Sequence, residues 1–469
     1  MKLDQGSAEA AVAVFADPPR VPGSNESYAE HVNPQWLRLL NVLSMNVRYT
    51  RCEGIELYRE NSPHSPILDF LSGYCVHNTG HNHPHLIHAL QEELARRGPA
   101  MLQSHVPELA GELAQRLCAK AGGGLRKAYF CSSGSEGVEA AIKFARVHTG
   151  RVGLVSASGA FHGLTCGALS LMDEPFWRGG FGPLLPETSI VPFGDLDALE
   201  QKLKGRKAAA FFVEPIQGEA GIRLPPKGYL AGAQALCRKY GTLLVADEVQ
   251  TAFHRTGPFL ASHHFGIEPD LVVLAKALSG GLVPSGAVLM PDEIYRSVYS
   301  SLKRSIVHTS TFSENGLSMR VGLAVLDVLE SEGLAEKSAQ RGEYLRARLR
   351  EELAPFEMFG EVRGLGMLNG IEFRTPSSLG LKLSFESFRR IHPAMFGQVV
   401  VMRLFQEHSI LTQICGNHFL VLKAAPPLAA TERHLDRYVE AMRSVMELMH
   451  GGTAFWTEAL RMAARVAGI

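Results

Sequence analysis

"YLAGAQALCRKYGTLLVADEVQTAF", residues 229–253, changes periodicity halfway through. Its first half spaces apolar residues as a helix does, at Tyr229, Leu230, Ala233, Cys237 and Tyr240. Its second half runs four apolar residues, 243–246, straight into Asp247, which reads as a buried strand ending on a carboxylate. The same alternation extends both ways, from about 100 to 330. Short β-branched or aromatic runs ("KAYFCSS", "VGLVSAS", "AAFFVEPI", "DLVVLA", "SGAVLM") flank helical segments such as "EGVEAAIKFARVH". Such alternation predicts an α/β fold with a mostly parallel central sheet in a large domain. In such sheets chemistry collects where strand ends meet loops.

Beyond residue 330 the pattern shifts to charged amphipathic helices, "EKSAQRGEYLRARLREEL" and "TERHLDRYVEAMRSVMELMH", and short strands, "MLNGIEF" and "HFLVLKAA". A smaller α+β domain over 331–469 is expected. Residues 1–35, rich in Pro, Ser, Asn and Ala, read as an extended N-terminal arm, 36–100 as an N-terminal segment contributing to the small domain and a dimer interface, and 101–330 as the large domain. Lys plus Arg equals Asp plus Glu, 47 each, so no net field favours nucleic acid or an anionic membrane. Seven scattered cysteines without CxxC pairs fit reduced thiols. With no signal-peptide pattern and no long apolar run, the expected location is cytoplasmic.

Three segments carry chemistry. In "DLVVLAKALSGG" (270–281), Lys276 directly follows an apolar strand and precedes a Gly pair, which makes it a candidate Schiff-base former. Asp247, at the other strand end, is placed to face a pyridinium nitrogen, with Gln250 three residues on to reach a phenolic oxygen. "YFCSSGSEGVEAAIKFA" (129–145) passes from strand through a Ser-rich turn into a helix, and a helix N-terminus there suits phosphate. "GAFHGLT" adds Phe161, a stacking aromatic, beside His162. Each signal alone has a bland reading, such as a snorkelling lysine, a turn-capping aspartate or a core phenylalanine. Together they furnish what pyridoxal 5'-phosphate requires.

With these pieces in order, the sequence resembles the class III aminotransferases, the branch of ornithine, putrescine and other ω-amine enzymes. "SGYCVHNTGHNHP", "SSGSEGVEAAIKFAR", "VEPIQGEAGI", "LLVADEVQTAFHRTG", "LAKALSGG", "HTSTFSEN", "VRGLGML" and "KAAPPL" carry the resemblance. It implies a fold-type I homodimer, or a tetramer, with active sites between subunits and pyridoxal 5'-phosphate as cofactor. Carried over, Lys276 is the cofactor lysine and Asp247 the partner of the ring nitrogen. Gly134 and Ser135 hold phosphate, Phe161 stacks, and His162, Glu214 and Gln250 complete the cofactor set. Thr311 reaches the phosphate in the neighbouring subunit. Tyr74, Leu164, Glu219 and Lys423 face substrate, with Glu219 similar to the glutamate that releases a cation when a substrate carboxylate arrives.

Departures from the pattern bear on specificity. Leu164 stands where ornithine-type enzymes place an arginine for the α-carboxylate, and a leucine cannot form that bidentate pair. Lys423 replaces the switch arginine as a point charge without the fork. "FSEN" puts Glu314 near Thr311. Glu314 has no physical explanation; Leu164 points to an ω-amine or diamine donor, putrescine-like, and Lys423 offers a cation to a 2-oxo acid acceptor such as 2-oxoglutarate or pyruvate. An ornithine- or acetylornithine-type enzyme, or an aminomutase of the same fold, is the alternative. A hydrolase lacks its GxSxG elbow, and "GLGMLNG" misses the dinucleotide spacing. Five histidines crowd "HNTGHNHPHLIH" (77–88), but Pro84 interrupts them and no cysteine or carboxylate joins, so no metal site is expected.

Overall fold

The computed structural model describes residues 24–102, 104–391, 395–452, 455–457 and 459–460. An N-terminal antiparallel meander is formed by Tyr49–Glu53 (β1), Glu56–Arg59 (β2) and Ser62–Asp69 (β3). The central sheet comprises Lys127–Cys131 (β4), Gly153–Ala157 (β5), Thr188–Val191 (β6), Ala208–Val213 (β7), Leu243–Asp247 (β8), Leu271–Leu274 (β9) and Gly286–Met290 (β10). The third sheet draws on Phe359–Leu365 (β11), Leu368–Phe373 (β12), Ile414–Cys415 (β14) and His418–Ala424 (β15), while Ile410–Leu411 (β13) runs parallel to β3.

The seven central strands lie in the order β4-β10-β9-β8-β7-β5-β6. Five neighbours, β9 through β6, are parallel, and β10 alone opposes both strands beside it. The reason is the connection 275–285, which holds only the 3₁₀ turn Lys276–Ser279. Returning to a parallel strand needs a longer crossover, usually through a helix. β7 is buried along its whole length, because helices cover both faces. Phe212 packs on the side of the helix Gly134–Thr149, and Phe211 on the side of Leu196–Leu203 and Tyr229–Tyr240. Alternate strand residues thus feed two separate cores.

Sequence periodicity missed β6 and β11, both only partly buried and without a full apolar face. The extended reading of the arm is corrected where the chain is described: Ser24–His31 is helical, and Asn33 accepts from the Trp36 amide to cap the helix Pro34–Val42. Residues 1–23 lie outside the described residues. The stretch 376–400 contributes the helices Leu379–Ile391 and Met395–His408. Trp456, from the C-terminal tail, is buried with its ring stacked on Phe396 and its indole donating to the Met449 carbonyl. No helix among the described residues is long and apolar enough to cross a membrane.

Candidate active site

The carboxyl ends of β4, β5, β7, β8 and β9 open onto one cavity of about 460 Å³. β4 delivers Ser132–Ser135, β5 leads to Phe161–Gly163, β7 ends before Glu214, β8 ends in Asp247, and β9 ends before Lys276. Gln250 and Glu219 complete this set on the wall. The sequence reading is therefore gathered into one place for nine residues: Gly134, Ser135, Phe161, His162, Glu214, Glu219, Asp247, Gln250 and Lys276.

Lys276 sits at a φ of 44°, a left-handed conformation that costs a non-glycine residue about 1–2 kcal/mol. This turn swings its side chain off the strand axis into the cavity. Its amine has no hydrogen-bond or ion-pair partner among the described residues, although its charge reaches Glu219. Beside it, Asp247 uses Oδ2 toward His162 Nδ1 at 2.8 Å and Oδ1 to accept from the Val249 amide at 3.1 Å. Burial opposes the charged form of His162, but Asp247 and Glu214 outweigh it and raise its pKa. Glu214 accepts from the amides of Phe161 and Gly218 at 2.9 and 3.0 Å. Its burial, with Asp247 nearby, pushes its carboxyl up to about 7.

At the other end, Ser133 caps the helix Gly134–Thr149 by accepting from the Glu136 amide. The first-turn amides of Gly134 and Ser135 are left facing the cavity, the usual arrangement for an anion. Space there is tight: a Cβ on Gly163, whose φ is 118°, would lie 2.0 Å from Ser135 Oγ. Ser285, also on the wall, keeps its buried hydroxyl unpartnered. Sequence reasoning missed Ser285 and Val249, since a serine opening a strand and a valine in a turn carry no distinguishing pattern.

Glu219 forms an ion pair with Lys423, which is fully buried at the end of β15. Burial opposes the charge on Lys423, and Glu219 more than restores it, so its pKa is raised; the same pairing outweighs burial to lower that of Glu219. The Lys423 ammonium also lies 4.9 Å from the ring centre of Tyr74. Tyr74 and Leu164 stand outside the cavity wall, 40% and 56% exposed, and Leu164 donates its amide to Ser135 Oγ. Thr311 lines a second cavity of about 530 Å³ with His308 and Glu314, whose carboxyl pKa burial raises.

The histidine cluster has separate partners. His81 meets Asp69 and His83 meets Glu332, each at 2.8 Å, while His85 and His88 face Asp327 and Glu92. His77 stacks on His81 with ring centres 3.8 Å apart, and burial lowers its pKa to about 4. A Cβ on Gly281 would meet its ring at 2.1 Å, so His77 buttresses the turn that carries Lys276.

Comparisons with known proteins agree with this geometry. The family model "Aminotransferase class-III" matches residues 40–446. The chain is 34% identical to the putrescine aminotransferase of Pectobacterium atrosepticum, over 90% of this chain and 88% of that protein. It is 33% identical to the aminotransferase PigE of a Serratia species over 93% of this chain, but spans only 54% of PigE. Among solved structures, an (S)-enantioselective ω-transaminase from Thermomicrobium roseum aligns with a TM-score of 0.79 at 29% identity, covering 91% of this chain and 98% of that one. The ornithine aminotransferase of Toxoplasma gondii aligns with a TM-score of 0.77 at 30% identity, covering 86% and 91%. A match over most of its length, on a fold whose strand ends converge in this way, means that the chain belongs to the class-III aminotransferase family.

Proposed function

We propose that the protein is a pyridoxal 5'-phosphate-dependent aminotransferase that moves an amino group from an ω-amine or diamine to a 2-oxo acid. The observation that carries this reading is the unpartnered Lys276 amine facing the same cavity as the His162-backed carboxylate of Asp247. The cavity fits the cofactor in its parts: free helix amides and the orphaned Ser285 hydroxyl for phosphate, Phe161 for the ring face, and Asp247 for the ring nitrogen. When bound, the cofactor supplies an electron sink that makes a C–H bond next to the amine acidic.

The chain's own groups do the rest. Asp247 would present its carboxyl to the ring nitrogen, held in that orientation by its other contacts, His162 and the Val249 amide. The Lys276 amine would take the proton from the substrate carbon and hold it for return, acting as base and then acid. Glu219 holds Lys423 while an amine is bound, and frees it when an acceptor's carboxylate enters. Two substrates that use one site in turn imply ping-pong kinetics.

A diamine donor is supported by the lining of the cavity. No arginine lines it among the described residues, and Val76, Phe161, Leu282 and Val283 provide apolar wall. The putrescine aminotransferase relative points the same way. A homodimer is part of this reading. Exposed Leu302, Ile306 and Phe312 flank Thr311, an apolar surface that a second copy would cover while Thr311 reaches that copy's phosphate. The deciding experiment is a half-reaction screen, following loss of the aldehyde-form absorbance as amines are added. Diamines should react fastest. Ornithine exceeding every diamine would favour the ornithine-type alternative, and no reaction with any amine, or no borohydride labelling of Lys276, would overturn the proposal.

A further inference from the structure

A side chain from the small sheet reaches across to the cavity. Between β14 and β15, the amide of Gly416 donates to Glu219 Oε2 at 2.8 Å and the amide of Asn417 to the Glu219 carbonyl at 2.9 Å. The Asn417 side chain turns the other way. Its Oδ1 accepts from the Trp177 indole at 2.7 Å, and its Nδ2 donates to the Gly159 carbonyl at 3.0 Å. An indole only donates and a carbonyl only accepts, so this amide orientation is fixed by its partners. Trp177 in turn presents an edge-to-face contact to Phe161, with ring centres 5.3 Å apart at 76°. Gly159 lies two residues before Phe161. Asn417 therefore restrains Phe161 twice, once through the backbone and once through Trp177, while its own amide holds the carbonyl of Glu219 on the cavity wall.

We propose that Asn417 and Trp177 are positioning residues that set the Phe161 ring over the cofactor, an inference that rests on the function proposed above. The space is made for it: a Cβ on Gly416 would sit 3.0 Å from both Glu219 Oε2 and Trp177 Cζ2. Serving Trp177 and Gly159 together takes a side chain with both an acceptor and a donor, as the amide has and an ionised aspartate or a leucine lacks.

The test uses the full chain reconstituted with pyridoxal 5'-phosphate, comparing Trp177→Phe, Asn417→Ala, the double variant and Asn417→Asp. Trp177→Phe keeps an aromatic ring beside Phe161 and loses the N–H with part of the indole's bulk. Trp177→Phe should weaken cofactor affinity several-fold, as loss of one half-buried hydrogen bond does, and Asn417→Ala, which loses two, by about tenfold. Each should also alter the visible circular dichroism of the bound cofactor, which global destabilisation with an intact site leaves unchanged. The double variant should be no worse than Asn417→Ala, because that variant already removes the one bond Trp177→Phe breaks, together with the bond to Gly159. Asn417→Asp, which keeps the acceptor for Trp177, should fall between wild type and Asn417→Ala. If wild type takes up the cofactor while the variants match it in affinity and dichroism, this inference fails alone. If wild type takes up none, the functional reading fails first.

Discussion

His162 Nδ1 lies 2.8 Å from Asp247 Oδ2, with both side chains buried and His162 Nε2 unpartnered. The contact works through Asp247, since the histidine anchors one carboxyl oxygen and fixes how the group faces the cavity. His162→Leu should therefore lower both half-reactions by a similar factor, about ten- to a hundredfold, the worth of one charge-assisted bond. Single-turnover rates with amine alone and with 2-oxo acid alone provide the check. A defect confined to one half-reaction would mean that His162 acts on a substrate instead.

Glu214 gives a pH dependence with a definite sign. Its folded pKa of about 7 stands above the 4.5 of the free side chain, so the folded state holds this proton more tightly. Its contribution to stability is fully present below about 4.5 and is lost as pH rises through about 7. The size is on the order of 1–3 kcal/mol. Urea unfolding from pH 5 to 8 should show that decline in wild type and a shallower one in Glu214→Gln. Parallel slopes would assign the decline to other groups.

Leu164→Arg probes donor choice. The side chain is exposed and its backbone is already tied to Ser135 Oγ, so a longer residue meets no packing cost. The guanidinium should raise kcat/KM for α-carboxylate donors relative to diamines by about tenfold or more, as a charge-assisted pair does. An unchanged ratio in a donor panel would remove Leu164 from the specificity argument.

The sheet and its strand-end residues were legible because burial on both faces writes continuous apolar runs, and Asp247 and Lys276 interrupt them at the ends. Thr311, Leu164 and Tyr74 were named from motif alone, and one chain does not bring them to the cavity wall. Asn417 and Trp177 left no trace in the sequence. Their partnership spans 240 positions, and neither stands in a local pattern. Ser285 was invisible for a related reason, because a hydroxyl without a partner becomes evident only when its surroundings are known.

The Glu219–Lys423 pair, proposed above as the acceptor switch, is also a liability to stability. Lys423 is fully buried, and among the described residues Glu219 is the only carboxylate pairing with it, so removing either charge strands the other. Lys423→Met should cost about 3–5 kcal/mol in unfolding free energy, as broken buried pairs do, and raise KM for the 2-oxo acid with little change in the amine half-reaction rate. Combining it with Glu219→Gln should recover most of that stability, because no uncompensated charge remains, yet leave the acceptor KM high. Stability and acceptor binding thus part company in the double variant. Recovery of both together would show that Lys423 serves only as a structural counter-ion; recovery of neither would place the lost stability in packing against Tyr74, 4.9 Å away.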